Sequence, residues 1–88
     1  MKLNPEYILR QIAGESVIVP TGTASQRFNG LINLNDAGAV IWKAVAAGHD
    51  RDKIVELLLE EFEIDPETAR RDVDGFCAML INNGFATE

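Results

Sequence analysis

Few side chains in this sequence are equipped for covalent or metal chemistry, and their spacing decides what they can do. There is one cysteine, Cys77, and one histidine, His49. A zinc site needs several nitrogen, sulfur or carboxylate ligands converging on one point, and a Ser or Cys nucleophile needs a base within hydrogen-bond reach. Cys77 falls within a helical apolar pattern, where it reads as a small core hydrophobe, and no second cysteine exists to form an internal disulfide. His49 follows Ala46-Ala47-Gly48 and reads as a solvated loop residue. The serines, Ser16 and Ser25, lie in strand and loop stretches. A peptidyl carrier would need a serine at a helix start to hold its phosphopantetheine arm. The expectation is a protein that is not an enzyme and holds no metal or cofactor.

Carboxylates are plentiful by comparison. Fourteen Asp and Glu against eight Lys and Arg leave a net charge of −6. Between Ile54 and Ala69 no basic residue occurs, whereas Glu56, Glu60, Glu61, Glu63, Asp65 and Glu67 do. That window reads as a solvated face that keeps the chain soluble, with docking of a basic partner as the alternative. Nucleic acid is a poor partner for such a chain, because affinity for phosphates comes from Lys and Arg.

Eighty-eight residues, 47 % of them apolar and 25 % charged, make one soluble globular domain spanning 1–88 with a single core. No apolar run reaches the ~18 residues that span a bilayer. Met1–Glu6 lacks the apolar stretch of a signal peptide, so a cytoplasmic location is expected.

The elements that would position any site follow from periodicity. Tyr7–Ile12 and Ser16–Val19 flank an Ala13-Gly14-Glu15 turn and predict a hairpin. A loop of small polar residues from Pro20 to Gln26 follows, and Phe28 restarts apolar character before a third strand over Gly30–Leu34. In that strand Leu31 and Asn33 should point to one face, and Ile32 and Leu34 to the other. With no intervening loop, Asn35 or Asp36 then caps a helix over Asp36–Ala47, whose stripe is Ala37, Val40, Ile41, Ala44 and Val45. A second helix starts near Asp50, and its broad apolar set (Ile54, Val55, Leu57, Leu58, Leu59, Phe62) predicts the most central position. The third has Asp65 as N-cap and Pro66 at its first position, ends near Asn82-Asn83-Gly84, and carries a core stripe of Ala69, Val73, Phe76, Cys77, Leu80 and Ile81. Met79 lies off that stripe, on a flank with Thr68, Asp72, Gly75 and Asn83. A glycine inside a helix costs about 1 kcal/mol relative to alanine, so Gly75 is either a tolerated imperfection or a point of close backbone approach. The expected fold is α+β: a three-stranded antiparallel sheet followed by a three-helix bundle, with the outline of a winged helix-turn-helix.

This order, with Leu34-Asn35-Asp36-Ala37-Gly38-Ala39-Val40-Ile41-Trp42, then Gly48, Asp72-Val73, Phe76, Leu80 and Gly84-Phe85, resembles the PqqD-like family over about Tyr7 to Phe85. The family is named after the small chaperone of pyrroloquinoline quinone biosynthesis. Its fold is shared by recognition elements of pathways that modify ribosomally made peptides. The resemblance implies a non-catalytic chaperone that binds the leader of a precursor peptide and presents it to a radical S-adenosylmethionine enzyme or another peptide-modifying enzyme. It further implies that the leader adds as an antiparallel strand along Gly30, Leu31, Ile32, Asn33 and Leu34, against a flank of the third helix. Asp72, Gly75, Phe76 and Met79 are the chosen flank, with the opposite one, near Arg70, Asp74 and Ile81, as the alternative. Strand addition suits an edge of unpaired backbone groups. The rival reading is a winged-helix DNA-binding regulator. Its recognition helix would carry only Arg70 and Arg71, surrounded by Glu67, Asp72 and Asp74.

Overall fold

Two alternating runs joined by a two-residue turn open the main sheet. The computed structural model describes residues 1–27 and 30–88, so the expectation for Phe28 lies outside the described residues. Strands β1 (Lys2–Leu3), β2 (Tyr7–Ile12) and β3 (Glu15–Pro20) come first, then a short helix α1 (Ala24–Arg27) and strand β4 (Ile32–Leu34). Helices α2 (Asp36–Ala46), α3 (Arg51–Glu61) and α4 (Pro66–Asn82) follow, and β5 (Ala86–Thr87) closes the chain. β2, β3 and β4 form an antiparallel sheet in that order, and β1 pairs with β5. The expected strand-then-helix α+β architecture is therefore present. The two-residue strands β1 and β5 and the single turn of α1 were not expected, because elements so short carry no periodicity.

The hairpin register follows from its turn. Ala13 and Gly14 both have positive φ, 52° and 81°, and Ile12 stands opposite Glu15, which makes a two-residue turn of the type that matches strand twist. In such a hairpin the flanking pair exchanges both backbone hydrogen bonds, and bonded and non-bonded pairs alternate from there. Ile12, Arg10 and Ile8 thus bond toward β3. On β3, Ser16 and Ile18 direct their backbone groups toward β4, opposite Leu34 and Ile32. The strand expected from Gly30 begins instead at Ile32. The cause lies across the sheet: the next bonded position on β3 is Pro20, which has no N–H to give.

All three long helices have side-chain caps. Asn35, Asp50 and Asp65 accept from the amides of Gly38, Lys53 and Thr68 at 2.8, 2.9 and 2.7 Å. The Thr68 amide holds the Asp65 carboxyl below the ordinary carboxylate range. α2 buries Gly38, Ala39, Ile41, Trp42, Ala44 and Val45, whereas α3 buries only Ile54, Val55 and Leu58. The expectation that the second helix is the most central is corrected: α2 buries the largest share of its residues, and Leu59 of α3 turns toward solvent at 36 % exposure.

Two apolar clusters result. One, with Ile41, Val45, Ile54, Leu58, Val73 and Cys77, lies among the helices; the other, with Tyr7, Ile18, Trp42, Leu80 and Phe85, lies between helices and sheet. Tyr7 and Phe85 meet edge to face at 4.6 Å. Phe76 and Leu3 pack against both clusters. At Gly38 the fit is tight, since a Cβ there would lie 3.0 Å from Cε1 of Phe76 and 3.2 Å from Oδ1 of Asn35. Gly38→Ala is therefore expected to lower unfolding free energy by about 1–3 kcal/mol in a urea titration, the usual range for overpacking; a variant as stable as the parent would show that Phe76 moves aside freely. A lowered folded-state pKa gives stability that is complete above the unfolded value and is lost as pH falls through the folded one. Asp65→Asn should therefore flatten the acid limb of the stability profile, and an unchanged limb would remove Asp65 as its source.

Candidate peptide-binding edge and hollow

β4 has β3 on one side and no strand on the other among the described residues. Because Leu34 and Ile32 bond inward to Ser16 and Ile18, the backbone N–H and C=O of Asn33 point out along the free edge, as do those of Leu31 just before the strand. Side chains alternate in step. Ile32 and Leu34 are half-buried against the sheet-side cluster, whereas Asn33 is exposed and Leu31 shows 57 % of its surface. Gly30 is exposed and lies outside the strand, which corrects its expected place in it.

Beside this edge lies a surface hollow of about 420 Å³ between the start of α2 and the middle of α4. α4 contributes Arg71, Asp72, Gly75, Phe76 and Met79, α2 contributes Ala37, Gly38 and Ile41, and its N-cap Asn35 completes the lining. Asp72, Gly75, Phe76 and Met79, singled out from the sequence, are thus neighbours around one concavity. Phe76 and Met79 also pack against the cluster that receives Ile32 and Leu34, so strand and hollow share an apolar floor. A Cβ added at Gly75 would meet nothing within 4 Å, so no packing of the domain itself requires a glycine there.

The other flank of α4 is taken up by α3. Arg51 donates to Asp74 at 3.1 Å and to Glu88 at 3.2 Å, and Arg70 pairs with Asp52. The hydrogen bond to Asp74 holds the Arg51 guanidinium above its ordinary pKa. The hollow is looser electrostatically: Arg71 stands 3.8 Å from Glu67 one turn away, and Asp72 is exposed.

No nucleophile or metal cluster competes with this surface among the described residues. Cys77 is fully buried, and burial pushes its thiol pKa up, away from the reactive thiolate. His49 is exposed, and no group of three His, Cys, Asp or Glu side chains converges on a metal-sized site among the described residues. The residues of the hollow that sequence reasoning missed are Arg71 of α4 and those at the start of α2. Gly38, a glycine in the first turn of a helix, was the one available sign of close approach there.

A family model described as coenzyme PQQ synthesis protein D (PqqD) matches residues 6–86. Two solved structures are similar over nearly the whole chain, each at 25 % identity. TbiB1 in complex with the TbiA(beta) leader peptide superposes with a TM-score of 0.78, covering 97 % of this chain and 93 % of that one. A lasso peptide synthetase B1 complexed with the leader peptide gives 0.80, covering 99 % and 96 %. No curated protein matches the chain. Because the space above Gly75 is open, Gly75→Ala should stabilise the free domain by up to about 1 kcal/mol, raising its thermal midpoint by at most roughly 4–8 °C. An unchanged or lowered midpoint by circular dichroism would mean that this turn of α4 is already constrained by a neighbour.

Proposed function

The chain belongs to the PqqD family, and from that premise we propose that it is a non-catalytic chaperone that binds the leader of a ribosomally made precursor peptide by β-strand addition. It presents the bound peptide to a modifying enzyme, of the radical S-adenosylmethionine type or another peptide-modifying class. The observation that carries this reading is the free backbone edge of β4 set beside an apolar wall on α4. An extended peptide completes the hydrogen bonding of Asn33 and Leu31 whatever its sequence, and its alternate side chains are sorted by what the wall accepts. That both structural neighbours hold leader peptides supports the same reading.

In this proposal the guest runs along Gly30–Leu34, with Gly75 admitting its backbone and Met79 moulding to its apolar side chains. Asp72 and Phe76 line the same wall. The flank near Arg70 and Asp74 is the poorer candidate, because α3 is already clamped to it. The assignment includes a cytoplasmic location, with which the absence of a membrane-spanning helix among the described residues agrees.

The DNA-binding alternative gains no support. Arg70 is paired with Asp52, Glu67 stands near Arg71, and the chain carries a net charge of −6. A carrier role lacks its attachment point, since Ser16 lies in β3 and Ser25 in the four-residue α1, donating to the Gly22 carbonyl.

Met79→Asp is expected to weaken binding of a cognate leader at least about tenfold, the effect of placing a charge against an apolar contact, while the far-ultraviolet circular dichroism stays that of the parent. Equal affinities in a peptide titration with intact fold would overturn the groove assignment. In the parent, amide shifts on adding leader should concentrate at Leu31–Leu34 and α4; shifts confined to α3 would move the interface elsewhere.

A further inference from the structure

The main sheet has a second free edge. β2 is six residues long, twice the length of β4, and on its outer side no strand pairs with it among the described residues. Its hairpin register turns the backbone groups of Leu9 and Gln11 outward, since Ile8, Arg10 and Ile12 bond to β3. The amide of Tyr7 follows the same alternation, donating away from β3 to the Asn4 carbonyl at 3.1 Å. An edge of this length left open invites another strand.

Next to it lies a hollow of about 550 Å³, with Leu3, Leu9, Trp42, Val45 and Ala46 among its walls. The arrangement repeats that of β4: a strand edge set beside a helix, here α2 instead of α4, with an apolar floor between them. Charge separates the two. Lys2 lines this hollow and Arg10 projects from β2, and neither makes an ion pair among the described residues. Two cations without an ion pair among the described residues, Lys2 in the hollow and Arg10 on the sheet face opposite Leu9, stand beside this free edge in a chain with a net charge of −6. They select an acidic occupant and disfavour a second copy of this chain paired edge to edge, which would bring Arg10 close to its own counterpart.

We propose that the β2 edge and the α2-side hollow are a second strand-addition site, which takes an extended, acidic segment of a partner protein. β2 and β4 are opposite edges of one sheet, so this segment and a peptide on β4 can be bound at once. On the leader-binding reading above, on which this identification of the partner rests, the segment belongs to the modifying enzyme.

The test uses two synthetic octapeptides, alternating Glu and Val or alternating Lys and Val, titrated into isotopically labelled protein followed by amide shifts. The Glu-Val peptide should move Leu9, Gln11 and the Trp42 indole, should weaken as salt rises, and should bind at least about tenfold more tightly than the Lys-Val peptide. The double variant Lys2→Glu with Arg10→Glu, both residues being exposed, should lose that preference and keep the parent's circular dichroism. Equal binding of both peptides, shifts at Ile32–Leu34 alone, no shifts up to millimolar peptide, or self-association through β2 in place of peptide binding would each overturn the proposal. A leader titration of the same double variant reads Asn33 instead. Loss of acidic-peptide binding with leader binding intact in the variant supports this site; absence of acidic-peptide binding in a parent that still binds leader counts against this site alone, and failure of the leader titration in the parent counts against the proposed function alone.

Discussion

The position of everything around the β4 edge depends on how closely the first turn of α2 approaches Phe76 of α4. Gly38 permits that approach, since a methyl group there would lie 3.0 Å from the Phe76 ring. Asn35 closes the same turn by accepting from the Gly38 amide, and Leu34 of β4 directly precedes Asn35. The strand therefore cannot shift relative to α4 without breaking a cap or displacing a ring that packs against both apolar clusters. A strand edge held at a set distance from a helix leaves a groove of fixed width; the same strand on a flexible connection would be an aggregation hazard.

Electrostatics reinforce this division of surfaces. α3 and α4 are tied on one flank by Arg51 with Asp74 and by Arg70 with Asp52, while the flank facing the hollow is spared such ties apart from the loose Arg71–Glu67 pair. Exposed pairs of this kind add little stability individually. Their larger consequence is to occupy one side of α4, so that its remaining accessible face is the one beside β4. Among the described residues no activated nucleophile complements these surfaces: Cys77 sits fully buried with its thiol pKa raised by that burial.

Most of the architecture was legible in the sequence. The hairpin, the three helices with their caps, and the clustering of Asp72, Gly75, Phe76 and Met79 on one flank all follow from patterns within a few residues of each other, and the structure has them. The site was half legible. Its α4 wall could be read from a helical wheel, but Ala37, Gly38 and Ile41 enter it through a helix crossing that no local pattern encodes. The second helix was overestimated for a related reason. A broad apolar set states how much surface a helix would bury, and Leu59 stays partly exposed because no element among the described residues covers that side.

What the sequence by itself determined was the inventory: which segments alternate, where helices start and stop, and which chemistries lack residues. These are local matters of pleat, cap and composition. Tertiary structure alone decided where β4 begins, which flank of α4 stays open, and what completes the hollow. Each depends on residues distant in the chain acting across space: Pro20 withholding an N–H from the next β4 position, Arg51 and Asp52 engaging Asp74 and Arg70, and Gly38 admitting Phe76.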